Sequence, residues 1–373
     1  TDMRKDVIQK LKTAMKAAGL DVLVAISPEN FAYGTGFVVP SQPLMRWRHA
    51  ICAVNSDGKS GIVAVDMEET TVRGKVPDAD IRIWGEFTDK PMNSLAQLLS
   101  DLGATNGKIG IEMNYLPAGD HEHLKRLLPG AMFIAADQIF DQLRQIKSTD
   151  EIDLLRRLSR ISDTAIAASF DAVKAGMTEM DMAAALTRSV YEQGAEHFKL
   201  MIVATGPRSE LPNVGPTERV LEAGDICRVE IFSIIGGYHA GVCRTASVED
   251  PPEKAVEIWK NLVECKYRVL DAIKPGASAK RVYEIFLEKF GELGLPPISF
   301  VGHGIGLHLH EDPYLGKYDE YTLEAGMVLG IEPLVYQTGH GFGLQLKDMI
   351  TVTKTGAELL SDSTDTDTLY RIG

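Results

Sequence analysis

The sequence predicts two domains: a small α/β domain over residues 1–146 and an α+β domain over residues 147–373. Three observations carry this. Helical periodicity and short apolar runs alternate through the first part of the chain, as in a sheet covered by helices. After Ser148 the pattern changes to long helices followed by strands in hairpins. A chain of 373 residues is long for one core and comfortable for two.

Lys5–Ala18 has the apolar spacing of a helix, and LDVLVAI (Leu20–Ile26) after Gly19 reads as a short strand. Arg48–Val54 and Gly61–Val65 read as neighbouring strands around an Asn55–Ser60 turn. Met92–Leu102 and Ala118–Leu128 read as helices, with a strand at Lys108–Glu112 between them. No glycine-rich phosphate loop follows these strands, so a nucleotide fingerprint is absent. Ser148 with Glu151 three places on is a capping box. It opens a periodic stretch that predicts a helix of about seven turns, ended by Gly176. A second helix follows at Glu179–Gln193, then strands at Met201–Thr205, Asp225–Ile235 and Tyr238–Val248. Helices at Glu253–Ile273 and Ala279–Leu293 come next, and a last antiparallel ribbon joins Met327–Tyr336 to Leu344–Thr353.

Composition narrows the class of partner. The formal charge of -13 and pI near 5.2 argue against nucleic acid or anionic membrane. No apolar run reaches the roughly 18 residues of a membrane-spanning helix. The opening residues form an amphipathic helix with acidic side chains, without the layout of a secretory signal. Cys52, Cys227, Cys243 and Cys265 show no CxxC or framework spacing, so disulfides are not implied. The expectation is a cytoplasmic protein.

Four places could carry chemistry. Glu230 interrupts an apolar strand (ICRVEIFSII), where an unpaired carboxylate is costly to bury. A two-residue turn at Gly236-Gly237 pairs Ile235 with Tyr238, which sets Cys243 opposite Glu230 and Gly241 diagonally on the same face. In VGHGIGLHLHEDPYL (Val301–Leu315), small glycines flank His303, while His308 and His310 share a face if that segment is extended. Glu332 interrupts MVLGIEPLVY, and Lys347 on the returning strand faces it across the ribbon. Each alone has a commoner explanation. A strand glutamate is usually salt-bridged, a loop histidine solvated, a lone cysteine a small buried hydrophobe, and Arg46-Trp47-Arg48 a surface charge cluster.

Their joint order raises the odds. The segments IKSTDEIDLLR, ATGPRSELPN, GDICRVEIF…GGYHAGVCRT, VGHGIGLHLHEDPYL, LEAGMVLGIEP and LQLKDMITVT run in the order of the pita-bread family. The chain thus resembles creatinase, prolidase, Xaa-Pro aminopeptidase and methionine aminopeptidase over essentially its whole length. The resemblance implies a small α/β N-terminal domain followed by a pita-bread α+β domain, paired as a homodimer in which Arg48 acts at the neighbouring subunit's site.

Metal-dependent members of that family use two Asp, one His and two Glu. Position by position these become Glu230, Gly241, His303, Glu332 and Lys347. A lysine ammonium replaces part of a metal's charge but cannot organise a bridging hydroxide. The expectation is therefore a metal-free branch near creatinase and ectoine hydrolase, with no metal and no cofactor. It would be a metal-independent hydrolase opening a C–N bond in a small carboxylated amidine or amide. Glu230 would act as nucleophile or base, with His303, Glu332, His239 and His310 as the other catalytic candidates. Arg48, Tyr238, Cys243, Asn213, His308 and Lys347 would bind substrate, Arg48 by gripping its carboxylate. Asn213 aligns with the histidine that follows Leu-Pro in peptidase members, and Cys243 with creatinase's guanidinium-binding glutamate, so creatine is not expected. Glu230-Ile231 with Tyr238-His239 is similar to ectoine hydrolase. Two other readings stand beside this one. One is a metal-dependent Xaa-Pro dipeptidase or aminopeptidase with an altered site of Glu230, His303, Glu332 and another histidine. The other is a small-molecule-binding protein that kept the fold and lost catalysis.

Overall fold

The apolar runs near the N-terminus are too short to cover a core singly and pair into one sheet. In the computed structural model, which describes residues 4–318 and 320–373, the chain forms two units, Thr1–Leu143 and Arg144–Gly373. In the first, α1 (Lys5–Ala18) buries Val7, Leu11 and Met15 at helical spacing and ends at Gly19 in the left-handed region. Then come β1 (Val22–Ala25), α2 (Pro28–Thr35), β2 (Ile51–Asn55), β3 (Ser60–Val65), α3 (Glu69–Lys75) and β4 (Asp80–Trp84). They are followed by α4 (Pro91–Asp101), β5 (Lys108–Ile111), α5 (Ala118–Leu127), β6 (Met132–Ala135) and α6 (Asp137–Gln145), whose last two residues belong to the second unit. The sheet order is β4-β3-β2-β1-β5-β6. β2 pairs antiparallel with both neighbours and the other pairs are parallel. Val22, Val24, Ile51, Val63, Leu95 and Ile109 form the centre of its core.

The second unit starts with the capping box. Ser148 Oγ accepts from Glu151 N, and the Glu151 carboxylate accepts from Ser148 N. The helix it opens, α7 (Thr149–Asp171), stops five residues before Gly176, earlier than the periodicity predicts. Apolar spacing runs on through Val173, which stays buried in the turn after the helix. Next are α8 (Glu179–Glu192), β7 (His197–Thr205), β8 (Ile226–Ile235), β9 (Tyr238–Val248), α9 (Glu253–Ala272) and α10 (Ala279–Leu293). The remainder is β10 (Phe300–Gly304), β11 (Glu311–Gly316), β12 (Val328–Ile331), β13 (Leu334–Val335), β14 (Leu344–Gln345), β15 (Asp348–Val352), β16 (Ala357–Leu359) and β17 (Tyr370–Ile372).

Two sheets result, ordered β17-β9-β8-β7 and β11-β10-β12-β15-β16, plus the small pair β13-β14. The predicted last ribbon is thus split. β12 pairs with β15, ending at Ile331 opposite Asp348, while β13 pairs separately with β14. Glu332 and Lys347 fall in the break between the two ladders, where side chains are free to turn inward. α9 and α10 cover the five-stranded sheet through Leu262, Val269, Phe286 and Phe290 against Leu329 and Ile350. The α/β-then-α+β architecture stands as predicted from the sequence. Among the described residues, no helix is long and apolar enough to cross a membrane.

Candidate active site

The β8–β9 hairpin fixes the first half of the site. Gly236 and Gly237 both have positive φ (58° and 83°), the conformation a two-residue turn matched to strand twist requires. Register follows: Ile235 faces Tyr238, Ile234 faces His239, Phe232 faces Gly241 and Glu230 faces Cys243. Side-chain alternation puts Glu230, Phe232, His239, Gly241 and Cys243 on one face of the sheet. Cys243 and Lys347 then exchange backbone hydrogen bonds of 3.2 and 3.1 Å, which carries Lys347 to that face. On β10, His303 pairs with Gly330 of β12, and Glu332 N donates to Val301 O at 2.8 Å. Glu230, His303, Glu332 and Lys347 converge, all buried.

Lys347 Nζ lies 3.1 Å from Glu230 Oε1 and 3.0 Å from Glu332 Oε2. Burial disfavours the ammonium, but the two carboxylates outweigh burial and hold the lysine protonated, above its usual range. Glu332 goes the other way: burial raises it, and Lys347 offsets only part of that. His303 Nδ1 is 2.7 Å from Gly304 O, and a carbonyl only accepts, so Nδ1 carries the proton. Burial, reinforced by Lys347, keeps the ring neutral. Its Nε2 is consequently a bare lone pair, without a hydrogen bond and 4.0 Å from Glu332 Oε2.

Supporting contacts hold this cluster in place. Gln345 Nε2 donates to Glu230 Oε2 at 2.9 Å, and Gln345 Oε1 accepts from Arg228 Nη1 at 2.6 Å. Arg228 also donates to Ser209 O, Leu211 O and Pro212 O, and its guanidinium lies over the Tyr336 ring. Arg244 Nη1 donates to Lys347 O at 2.8 Å while pairing with Asp163 and Asp348. Neither Arg228 nor Gln345 was singled out by sequence reasoning. An arginine two residues before Glu230 in an apolar strand was the available signal, since a buried guanidinium requires several acceptors.

The segment between β10 and β11 is a loop rather than a strand, so His308 and His310 do not share a strand face. His310 stacks on His303 with centroids 3.6 Å apart and planes at 12°. Burial, then Lys347, lowers its pKa to about 4. His308 Nδ1 instead lies 2.7 Å from His310 O and 3.1 Å from His310 N, bracing the loop. Glu311 closes the loop by accepting from Arg144 and from Lys147 Nζ at 2.7 Å. Burial opposes the Glu311 carboxylate, yet the two cations pull its pKa from 4.5 to about 2. Because the folded value is the lower one, this stabilisation is complete above about pH 4.5 and fades as pH falls toward 2. Glu311→Gln is expected to cost about 3 kcal/mol in urea denaturation at pH 7. The gap to the parent should close below pH 4. An equal gap at pH 7 and pH 3 would refute this role.

The other predicted residues divide. His239 is 3% exposed, with no hydrogen bond at either ring nitrogen, and burial followed by Lys199 lowers its pKa to about 3. It is a neutral imidazole on the Glu230 face. Tyr238 is structural instead, because its hydroxyl donates to Glu151 Oε1 at 2.5 Å. Cys243 is fully buried, and burial holds its thiol protonated well above the usual range, so it is not a nucleophile. Asn213 is exposed, next to the Leu211–Pro212 carbonyls that Arg228 fixes. In the first unit the Arg48 fork is taken by Glu86, with both contacts at 2.8 Å, and is not open for a substrate carboxylate.

Buried carboxylates, a bare imidazole nitrogen and an ammonium on a pita-bread sheet define a hydrolase-type site. Residues 153–354 match Metallopeptidase family M24, and residues 8–146 match the Creatinase/Prolidase N-terminal domain. The chain belongs to metallopeptidase family M24 and is a hydrolase acting on C–N bonds. It is 28% identical over 362 residues to an Xaa-Pro dipeptidase of Pyrococcus furiosus, covering 96% of this chain and 98% of that one. Among solved structures, the prolidase from Pyrococcus furiosus is 26% identical with a TM-score of 0.81, covering 95% of this chain and 100% of that one. An Xaa-Pro dipeptidase from Bacillus anthracis is 25% identical with a TM-score of 0.85, covering 98% and 99%.

These similarities correct the functional expectation from sequence. Relatives matched nearly end to end include two Xaa-Pro dipeptidases and a solved prolidase, which are peptidases rather than metal-free creatinase-like or ectoine-hydrolase-like enzymes. The metal-independent amidine or amide hydrolase is therefore set aside in favour of the peptidase reading. The family name also implies a metal, and the side chains here do not fit a metal pair. Lys347 Nζ occupies the space between the two carboxylates. A Cβ on Gly241 would lie 2.2 Å from the Phe232 ring, so no carboxylate could project there. Among the described residues, no group of three or more His, Cys, Asp or Glu stands where it could hold an ion.

Proposed function

We propose that the chain hydrolyses small dipeptides, with Xaa-Pro dipeptides as the substrate class. The observation that supports this most is the near full-length similarity to an Xaa-Pro dipeptidase, joined to a buried cluster of hydrolytic groups at the break between two ladders. Hydrolysis needs water delivered to the carbonyl carbon, a donor for the oxygen that becomes negative, and a proton for the departing nitrogen. Glu230, fixed by Gln345 and Lys347, is placed as the acceptor that orients water. Lys347 is the donor at hand for the developing oxyanion. The bare His303 Nε2 takes up the proton that water loses and passes it on, by way of Glu332 4.0 Å away, to the departing nitrogen. His239, buried and without partners, fits a polar group of the bound substrate. A cytoplasmic homodimer is the setting this reading assumes.

The test is a dipeptide panel, with and without added Mn(II), Co(II) or Zn(II), read by proline release. Turnover of Ala-Pro and Leu-Pro above Ala-Ala and Pro-Ala is expected. No turnover of any Xaa-Pro dipeptide under all these conditions would reject the proposal.

A further inference from the structure

Three residues of the site form one packed unit. The Phe232 ring covers bare Gly241, where any side chain would collide with it. The same ring lies under Lys347, whose Nζ is 4.5 Å from the ring centroid. An ammonium over an aromatic face is attracted by the ring quadrupole. The other side of Nζ meets the two carboxylates at 3.1 and 3.0 Å. The lysine stem passes Gly330, where an added Cβ would come within 3.0 Å of its Cε. Its backbone is tied to Cys243 in both directions and to Arg244.

We propose that Lys347, seated on Phe232 and clasped by Glu230 and Glu332, is the resident cation of this site, and that it excludes a divalent ion from the space beside His303 Nε2. The inference rests on the peptidase reading for the function of the site, but its occupancy can be measured without substrate. Glu230 and Glu332 remain as oxygen donors on two sides of the ammonium, with His303 Nε2 4.0 Å from Glu332 Oε2. Exchanging the ammonium for a fourth donor supplies the set that a borderline divalent ion takes.

Full-length protein incubated with Mn(II), Co(II) or Zn(II) and desalted is to be analysed for metal by mass spectrometry. The parent is expected to retain well under one ion per chain, with the same melting temperature in EDTA and in Mn(II). Lys347→Glu should retain about one ion per chain and gain several degrees in Mn(II), a shift that ligand linkage requires of any ion bound only by the folded state. Parent protein that retains one or more ions, and loses them on Glu230→Gln, would overturn the proposal. So would a Lys347→Glu protein that stays metal-free. If that variant folds only in the presence of metal, its dependence is itself the expected result. If it folds under neither condition, the parent's metal content decides alone. Dipeptide turnover plays no part in these readouts, so failure of the peptidase reading would leave them intact.

Discussion

Glu230→Gln is expected to lower kcat for Xaa-Pro dipeptides by about 10²–10⁴-fold, the usual worth of a positioned acid–base group. The substitution keeps the shape of the side chain and removes only its charge and proton affinity. Its amide can still meet Gln345, and Glu332 remains as a partner for Lys347. The folded protein should therefore survive with KM little changed. Steady-state kinetics beside circular dichroism separate the possibilities. Activity within threefold of the parent would remove Glu230 from the reaction and leave it a structural counter-ion. Loss of activity together with loss of the fold would be read by repeating the measurement with Glu230→Asp, which keeps the charge.

The larger effect on stability is expected from Lys347→Met. Removing the ammonium leaves Glu230 and Glu332 buried near each other with no cation between them. Breaking a buried ion cluster from one side costs about 3–5 kcal/mol. For a unit of this size that is a fall of roughly 10 °C in melting temperature. One carboxylate would be forced to take up a proton, since two like charges at this spacing cannot both stay ionised cheaply. Combining Lys347→Met with Glu230→Gln removes one of the two repelling charges. The double variant should then be more stable than Lys347→Met alone, a coupling that independent sites do not show. Simple additivity of the two losses would contradict the clasp.

Much of this site was legible in the sequence because short-range chemistry dictates it. Gly236-Gly237 sets a two-residue turn, and the turn fixes every pair along β8 and β9, including Glu230 with Cys243. Glu332 and Lys347 each interrupt an apolar run, and burial of opposite charges requires that they find partners. Lys347 meeting Glu230 as well was not legible, since it depends on the bridge from Cys243 to a different ladder. Phe232 was invisible for another reason. A phenylalanine in an apolar strand reads as ordinary core, and only its overlap with Gly241 shows that it fills a vacated place. Helix lengths were readable to within a few residues. The short segments α2, α3, α6, β4 and β6 were not, because stretches of four to nine residues offer too few positions for a periodic pattern to stand out. Activity was the hardest to read. The site residues depart from the peptidase pattern at Gly241 and Lys347, and local chemistry alone pointed away from the relatives that the whole chain resembles.

Crystals grown with Mn(II) and a non-hydrolysable Xaa-Pro analogue, with data collected at the manganese edge, decide between Lys347 and a metal as the cation of the site. The expected map shows the Lys347 ammonium within hydrogen-bond distance of Glu230 and Glu332, no anomalous peak among them, and the analogue's scissile carbonyl beside His303. A manganese peak ligated by Glu230, Glu332 and His303, with the lysine side chain turned away, would contradict it.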